Sequence, residues 1–212
     1  MNTNKLQVFV FAMLFVVGAF TGCVDEDDDD KTTTDNTIKI GFLNPITGPL
    51  EPDAAGFKWG ADQAISDLAK MYPNETFKLI ELDSGCSGDV AGPAAQTLVD
   101  SGVVAVVGAA CSGASMSANA VLAAAGIPMI SYASTNPGLS DEAKYPHFYR
   151  NVPSDAIQGP AGAAMMADAG VTNESLAILH MTNDYGSGLA DSIKAAWEED
   201  GKLCSAGMQG YE

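Results

Sequence analysis

Cys111 stands in the run GAACSGAS (108–115), directly after the apolar stretch SGVVAVV and directly before Ser112. A cysteine in that setting could be a nucleophile, a metal ligand, part of a phosphate-cradling loop or half of a disulfide. A nucleophile needs a base within reach, and the chain has two histidines, His147 and His180. His180 ends an apolar run and His147 sits in a tyrosine-rich turn, and neither has the HExxH or cysteine-rich company that zinc requires. There is no GxSxG elbow and no GxxxxGK[ST] loop, and the glycines around Cys111 are wrongly spaced for a dinucleotide fingerprint. No catalytic residue, metal or cofactor is therefore expected. A Cys–His pair built on Cys111 is the enzymatic alternative.

The elements that must hold these residues follow from periodicity. TIKIGFL (37–43) alternates and is β-branched, which predicts a first strand. NPITGPLEP is turn chemistry. Residues 54–72 carry Phe57, Ala61, Ile65, Leu68 and Tyr72 along one helical stripe. FKLIELD (77–83), VVAVVG (103–108) and IPMISY (127–132) read as strands, separated by helices at 92–102 and 112–126. Pro93 suits the first turn of the former helix. After FYRNVPSD the pattern restarts, with a helix containing Pro160, a strand at 175–181, a helix at 187–201 and a strand beginning near CSAGMQGYE. Alternating strands and helices with continuous apolar strands mean a parallel sheet covered on both faces.

The remaining sequence concerns destination. MNTNK, a 15-residue apolar run and the triplet TGC form the three parts of an export signal, and the run is short for a membrane span. Thr21, Gly22 and Cys23 resemble the lipobox of prokaryotic lipoproteins, which implies cleavage before Cys23 and a lipid on its sulfur. Ordinary signal cleavage without a lipid is the alternative. Six consecutive acidic residues, Asp25 to Asp30, then form a solvated tether. The chain carries 27 acidic against 10 basic residues, a net −17, and such a surface excludes nucleic acid and anionic membranes as partners.

In a parallel sheet the loops after the second and third strands lie at the same C-terminal edge, which brings Cys86 and Cys111 together. In an exported chain they form a disulfide, two free buried thiols being the alternative. Cys204 is left over. Open α/β sheets bind ligands at that edge. Ser112 opens a helix whose free N–H groups favour an anion such as a carboxylate. Ser134 and Thr135, with nearby backbone carbonyls, offer hydroxyls and acceptors, a combination suited to a zwitterion. Taken singly, Ser112 could be only a cap, and Ser134 and Thr135 only turn residues.

Six segments in order resemble the branched-chain amino-acid binding proteins, the type I periplasmic-type solute receptors of ABC importers. They are IKIGFLNPITGPL, FKWGADQAISDL, the pair Cys86 and Cys111, GIPMISYASTNPGLS, FYRNVPSDAIQGPAGA and LHMTNDYGSGLA, spanning Thr37 to Glu212. The resemblance implies two Rossmann-like three-layer α/β/α lobes with parallel sheets that close on a ligand, the second lobe incomplete here because family members are about twice as long. It places the ligand carboxylate on Ser112 and Thr135, the ammonium on the Ala133 carbonyl and Thr135, with Ser134 in the same loop, and Tyr185 over the ligand. It also matches the Cys86–Cys111 disulfide. Where the family has an aromatic residue in the first loop this chain reads LEPDAAG, so Asp53 there implies a polar or basic ligand side chain. The expected organisation is a signal peptide (1–22), a lipidated acidic linker (23–36), an N-terminal ligand-binding lobe (37–153) and the start of a second lobe (154–212). The expected partners are an amino acid and ABC permease subunits, with the lipid as membrane anchor. A sensor domain of the same fold, binding an amide or other small polar solute, is the alternative.

Overall fold

The computed structural model describes residues 36–172, 176–199, 201 and 206–212. The signal segment, Cys23, the acidic run and Cys204 lie outside the described residues.

Residues 36–212 form one compact unit built on two parallel sheets. The first contains β1 (Thr37–Asn44), β2 (Thr76–Asp83), β3 (Ala105–Val107), β4 (Met129–Ser131) and β5 (Phe148–Arg150), in the order β2-β1-β3-β4-β5. Its helices are α1 (Ala54–Met71), α2 (Gly88–Asp100) and α3 (Ser112–Ala124). The order reverses between β1 and β3, so the loops leaving those two strands diverge and open a crevice at their C-terminal ends.

Side-chain alternation assigns the faces. On one side of the sheet, Leu43, Val106 and Met129 pack with Ala91, Ala95 and Leu98 of α2 and with Ala118 and Leu122 of α3, all fully buried or nearly so. Alanines along both helices let their backbones approach the sheet and each other closely. On the other side, Phe42 faces Tyr132, and Phe57 of α1 packs tilted against the same ring with centroids 4.9 Å apart. The stripe read along α1 faces the protein, with Phe57, Ala61, Ile65 and Leu68 half-buried and Tyr72 exposed. Ile130 and Tyr149, neighbours in register on β4 and β5, lie on this side at 43% and 59% exposure because α1 covers β1 and β2 instead.

Two expectations need correction. The sequence FYR was read only as the end of a segment, yet Phe148–Arg150 adds a fifth strand, pairing Ser131 with Arg150. The second helix starts at Gly88 rather than residue 92, because the Ser87 hydroxyl accepts the Asp89 N–H and caps it there. Pro93 is therefore inside the helix, not in its first turn, and the Asp89 carbonyl, on the exposed start of the helix, loses the donor it would have had.

The chain then crosses to α4 (Asp155–Asp168), β6 (Ile178–Met181), α5 (Asp184–Glu199) and β7 (Met208–Tyr211), with β6 and β7 parallel. Ala163, Leu176, Ile178, Ala190 and Trp197 form its core. Both helices pack on the Ile178 face of the strands. The opposite face presents Leu179 and Tyr211 to solvent. Among the described residues this second unit thus has two layers, and the three-layer arrangement holds for the first sheet alone.

Candidate functional site

The loops at the C-terminal strand ends and the start of α5 enclose a cleft of about 540 Å³, a size suited to a small molecule. Cys86 and Cys111 are joined by a disulfide, Cα to Cα 5.1 Å, which ties the loop after β2 to the start of α3. Both half-cystines line the cleft. This removes Cys111 as a nucleophile and removes the free-thiol alternative.

Ser112 is the first helical residue of α3, and the residue in the capping position is Cys111. Ser112 is therefore not the cap. The leading N–H groups of α3 have no intrahelical acceptor and sit at the cleft wall with Ser112 and Gly113. The Ser112 hydroxyl oxygen accepts the Asn136 N–H at 3.2 Å. Its own hydrogen stays available to donate.

Thr135 has the opposite polarity. Its hydroxyl donates to Asp155 Oδ2 at 2.9 Å, and its carbonyl accepts the Asp155 N–H at 2.9 Å. The hydroxyl therefore has only lone pairs left for the cleft. Ala133 lines the cleft too, its N–H donating to the Ser131 hydroxyl. Ser134 does not join them. Its side chain is fully buried and bonds to the Ser115 hydroxyl and the Ala109 and Ala110 carbonyls. Adjacent residues in an extended loop point to opposite sides, so Thr135 on the cleft puts Ser134 in the core.

Arg150 braces this loop from β5. Its guanidinium donates to the carbonyls of Ser134 and Asn136 and to the Ser140 hydroxyl. Burial pulls its pKa down and the Asp155 charge pushes it back up. Neither Arg150 nor Asp155 was singled out from sequence. The signal that could have found them is a lone arginine and an aspartate flanking NVPS at a break between two α/β patterns.

The first loop contributes Pro49 and Leu50 to the cleft wall, while Asp53 lies exposed in a short 3-10 turn, Glu51–Asp53, and is absent from the wall. The expectation of a polar partner at Asp53 is corrected accordingly. Asp83 holds the loop in place, accepting the Thr47 N–H and hydroxyl and the Gly85 N–H. Burial pushes its carboxyl up, but these hydrogen bonds outweigh that and hold it below the usual carboxylate range.

The far wall consists of Gln158 from α4 and Met181, Asn183, Asp184 and Tyr185 around the start of α5. Tyr185 is 40% exposed at the rim. The two sides meet at glycines. The Asn136 side-chain amide donates to the Asp184 carbonyl. A Cβ on Gly188 would lie 2.4 Å from the same amide nitrogen, and one on Gly113 would lie 2.3 Å from Asp184 Oδ2. Gly188→Ala is therefore expected to displace Asn136 and hold the cleft walls apart. Small-angle scattering should show a larger radius with ligand present, at an unchanged melting temperature.

Among the described residues no group of three or more His, Cys, Asp or Glu side chains could hold a metal ion, and no helix is long and apolar enough to cross a membrane.

Two α/β units facing each other across a cleft at their strand ends, with a donor corner and an acceptor corner, define a small-molecule-binding architecture. The family model for the receptor family ligand binding region matches residues 60–206. The chain belongs to that family. It is 29% identical over 168 residues to the leucine-, isoleucine-, valine-, threonine- and alanine-binding protein of Pseudomonas aeruginosa, covering 78% of this chain and 44% of that protein. It is 31% identical over 157 residues to a metabotropic glutamate receptor-like protein E of Dictyostelium discoideum, covering 74% of this chain and 18% of that one. Among solved structures it is similar to the branched-chain amino acid transporter substrate-binding protein LivJ of Streptococcus pneumoniae in complex with isoleucine. The TM-score is 0.69 at 25% identity, over 82% of this chain and 49% of that one. The chain thus spans less than half the length of these curated relatives, which are binding and receptor proteins.

Proposed function

We propose that the chain is the ligand-gripping part of an extracytoplasmic solute receptor that binds an aliphatic amino acid and passes it, chemically unchanged, to the permease of an ABC importer. The observation that carries this reading is the opposed polarity of two hydroxyls on one cleft. Ser112, at the α3 N-terminus, has a hydrogen to give to a carboxylate, and Thr135 has lone pairs to offer an ammonium. The Ala133 carbonyl adds a second acceptor for the ammonium, and Tyr185 covers the ligand from the other wall. Pro49, Leu50 and Met181 supply apolar surface for the side chain, which favours an aliphatic ligand over a polar one. The relatives that bind leucine and isoleucine support the same class.

In this reading residues 1–22 direct export, Cys23 carries a lipid that anchors the protein to the cell membrane, and residues 23–36 form an acidic tether. Residues 37–153 are the ligand-binding lobe and residues 154–212 begin the second. Calorimetric titration of the chain with leucine, isoleucine, valine, lysine and an amide should give heat with the aliphatic set. Binding of the amide in place of every amino acid would sink the reading. The likeness to a Dictyostelium receptor supports a second reading, a sensing domain of the same fold. A membrane span and signalling domain encoded in frame after the second lobe would favour the sensor.

A further inference from the structure

Asp155 is the only fully buried carboxylate among the described residues, with 0% of its surface exposed. It is the first residue of α4, at the point where the chain leaves the first sheet. It joins three elements. Its N–H donates to the Thr135 carbonyl, its Oδ2 accepts the Thr135 hydroxyl, and its own carbonyl accepts the Ser192 hydroxyl of α5 at 2.7 Å. Its second carboxylate oxygen, Oδ1, is buried with no hydrogen-bond partner. Such an oxygen is costly, since a buried charge ordinarily has both oxygens satisfied. The Arg150 charge acts on Asp155, but Arg150 spends its hydrogen bonds on the Ser134 and Asn136 carbonyls and the Ser140 hydroxyl, and forms no ion pair with Asp155. Asp155 does not line the cleft. The charge therefore stands one residue behind the wall, connected to it by a single hydroxyl.

A hydroxyl has one hydrogen. Because Thr135 gives that hydrogen to Asp155, its lone pairs face the ligand, backed by a negative charge. We propose that Asp155 is a positioning residue that acts through Thr135 to make this corner of the cleft selective for a cationic head group, without touching the ligand itself. The proposal rests on the amino-acid reading of the cleft. Asparagine at 155 keeps an acceptor oxygen but removes the negative charge behind the Thr135 hydroxyl, and the corner would then tolerate a head group with no positive charge.

The test compares leucine with 4-methylpentanoate, which keeps the carboxylate and side chain but lacks the ammonium. Both are titrated into the whole chain, its Asp155→Asn variant, its Thr135→Val variant and the double variant. Asp155→Asn should weaken leucine about tenfold or more and leave 4-methylpentanoate within about threefold. Thr135→Val should narrow the same ratio, and the double variant should narrow it no further. A role confined to folding would weaken both ligands equally and lower the melting temperature. Burial pushes the Asp155 carboxyl up, against the Thr135 hydrogen bond and the Arg150 charge, so removing the charge should leave the melting temperature at neutral pH unchanged or higher. If the Asn variant does not fold, Asp155→Ser makes the same comparison. Equal weakening of both ligands, or an unchanged leucine affinity, overturns the proposal. Wild-type protein that binds neither ligand overturns the amino-acid reading instead.

Discussion

Ser112→Ala is expected to weaken amino-acid binding by about 1–3 kcal/mol, or roughly 5- to 150-fold in dissociation constant, with little loss of fold stability. Two effects add. The substitution deletes the hydroxyl hydrogen that would reach the ligand carboxylate, leaving only backbone N–H groups at the α3 N-terminus. It also leaves the Asn136 N–H, which donates to Ser112 Oγ, without its acceptor. Asn136 is the residue that reaches across to Asp184, so its loosening affects the opposite wall as well. The helix itself should persist, because the capping position is Cys111 and α3 is packed through Ala114, Ala118 and Leu122. Titration calorimetry beside a thermal melt separates the two consequences. An unchanged dissociation constant would mean that the carboxylate binds elsewhere.

The second large effect concerns stability. Replacing both Cys86 and Cys111 with serine opens a link between residues 25 apart in sequence. The chain-entropy treatment of such a loop gives about 3.5 kcal/mol, which corresponds to roughly 10 °C in melting temperature for a domain of this size. The cost should exceed that of a distant surface pair because the bond also shapes the cleft. Cys86 has a left-handed backbone, φ 51°, a conformation costing about 1 kcal/mol for a residue with a Cβ. Without the bond only the Gly85 and Ser87 N–H hydrogen bonds, to Asp83 and to the Ser84 carbonyl, hold that conformation, and the segment Gly85–Ser87 that precedes α2 can relax. A thermal melt of the double-serine chain under oxidising conditions should show the drop, and ligand should restore less of it than in wild type. A melting temperature within about 2 °C of wild type would mean that packing alone holds the loop.

The fold was legible wherever the hydrophobic period ran long enough to average over exceptions. β1, α1 and β2 stand close to where alternation and the helical stripe put them. Short elements were less visible. Phe148–Arg150 is three residues ahead of Asn-Val-Pro, too few for any period, and it is a strand because β4 offers it a free edge. Pro93 misled because proline is favoured in a first turn, and a single serine hydroxyl at position 87 outweighed that preference. At the cleft, residues next to a recognisable signal do line the wall, such as Ser112 after the half-cystine and Thr135 in the loop after β4. Ser134 was grouped with Thr135 because composition does not say which of two neighbours turns inward. Asp155 and Asn136 were missed for a related reason. Their roles depend on what they touch, twenty and forty-eight residues away in sequence, and the break at NVPS marks the place of Asp155 without giving its partner.

Among the described residues, the five strands of the first sheet all come from residues 37–150. A chain that emerges N-terminus first can therefore pair these five strands while later residues are still being delivered. The disulfide, the α3 N-terminus and the Thr135 loop all belong to this early portion. One wall of the cleft, with its disulfide, could thus form before Tyr185 and Asp184 arrive to face it. In that order of delivery, the second wall of the cleft would meet a template already in place.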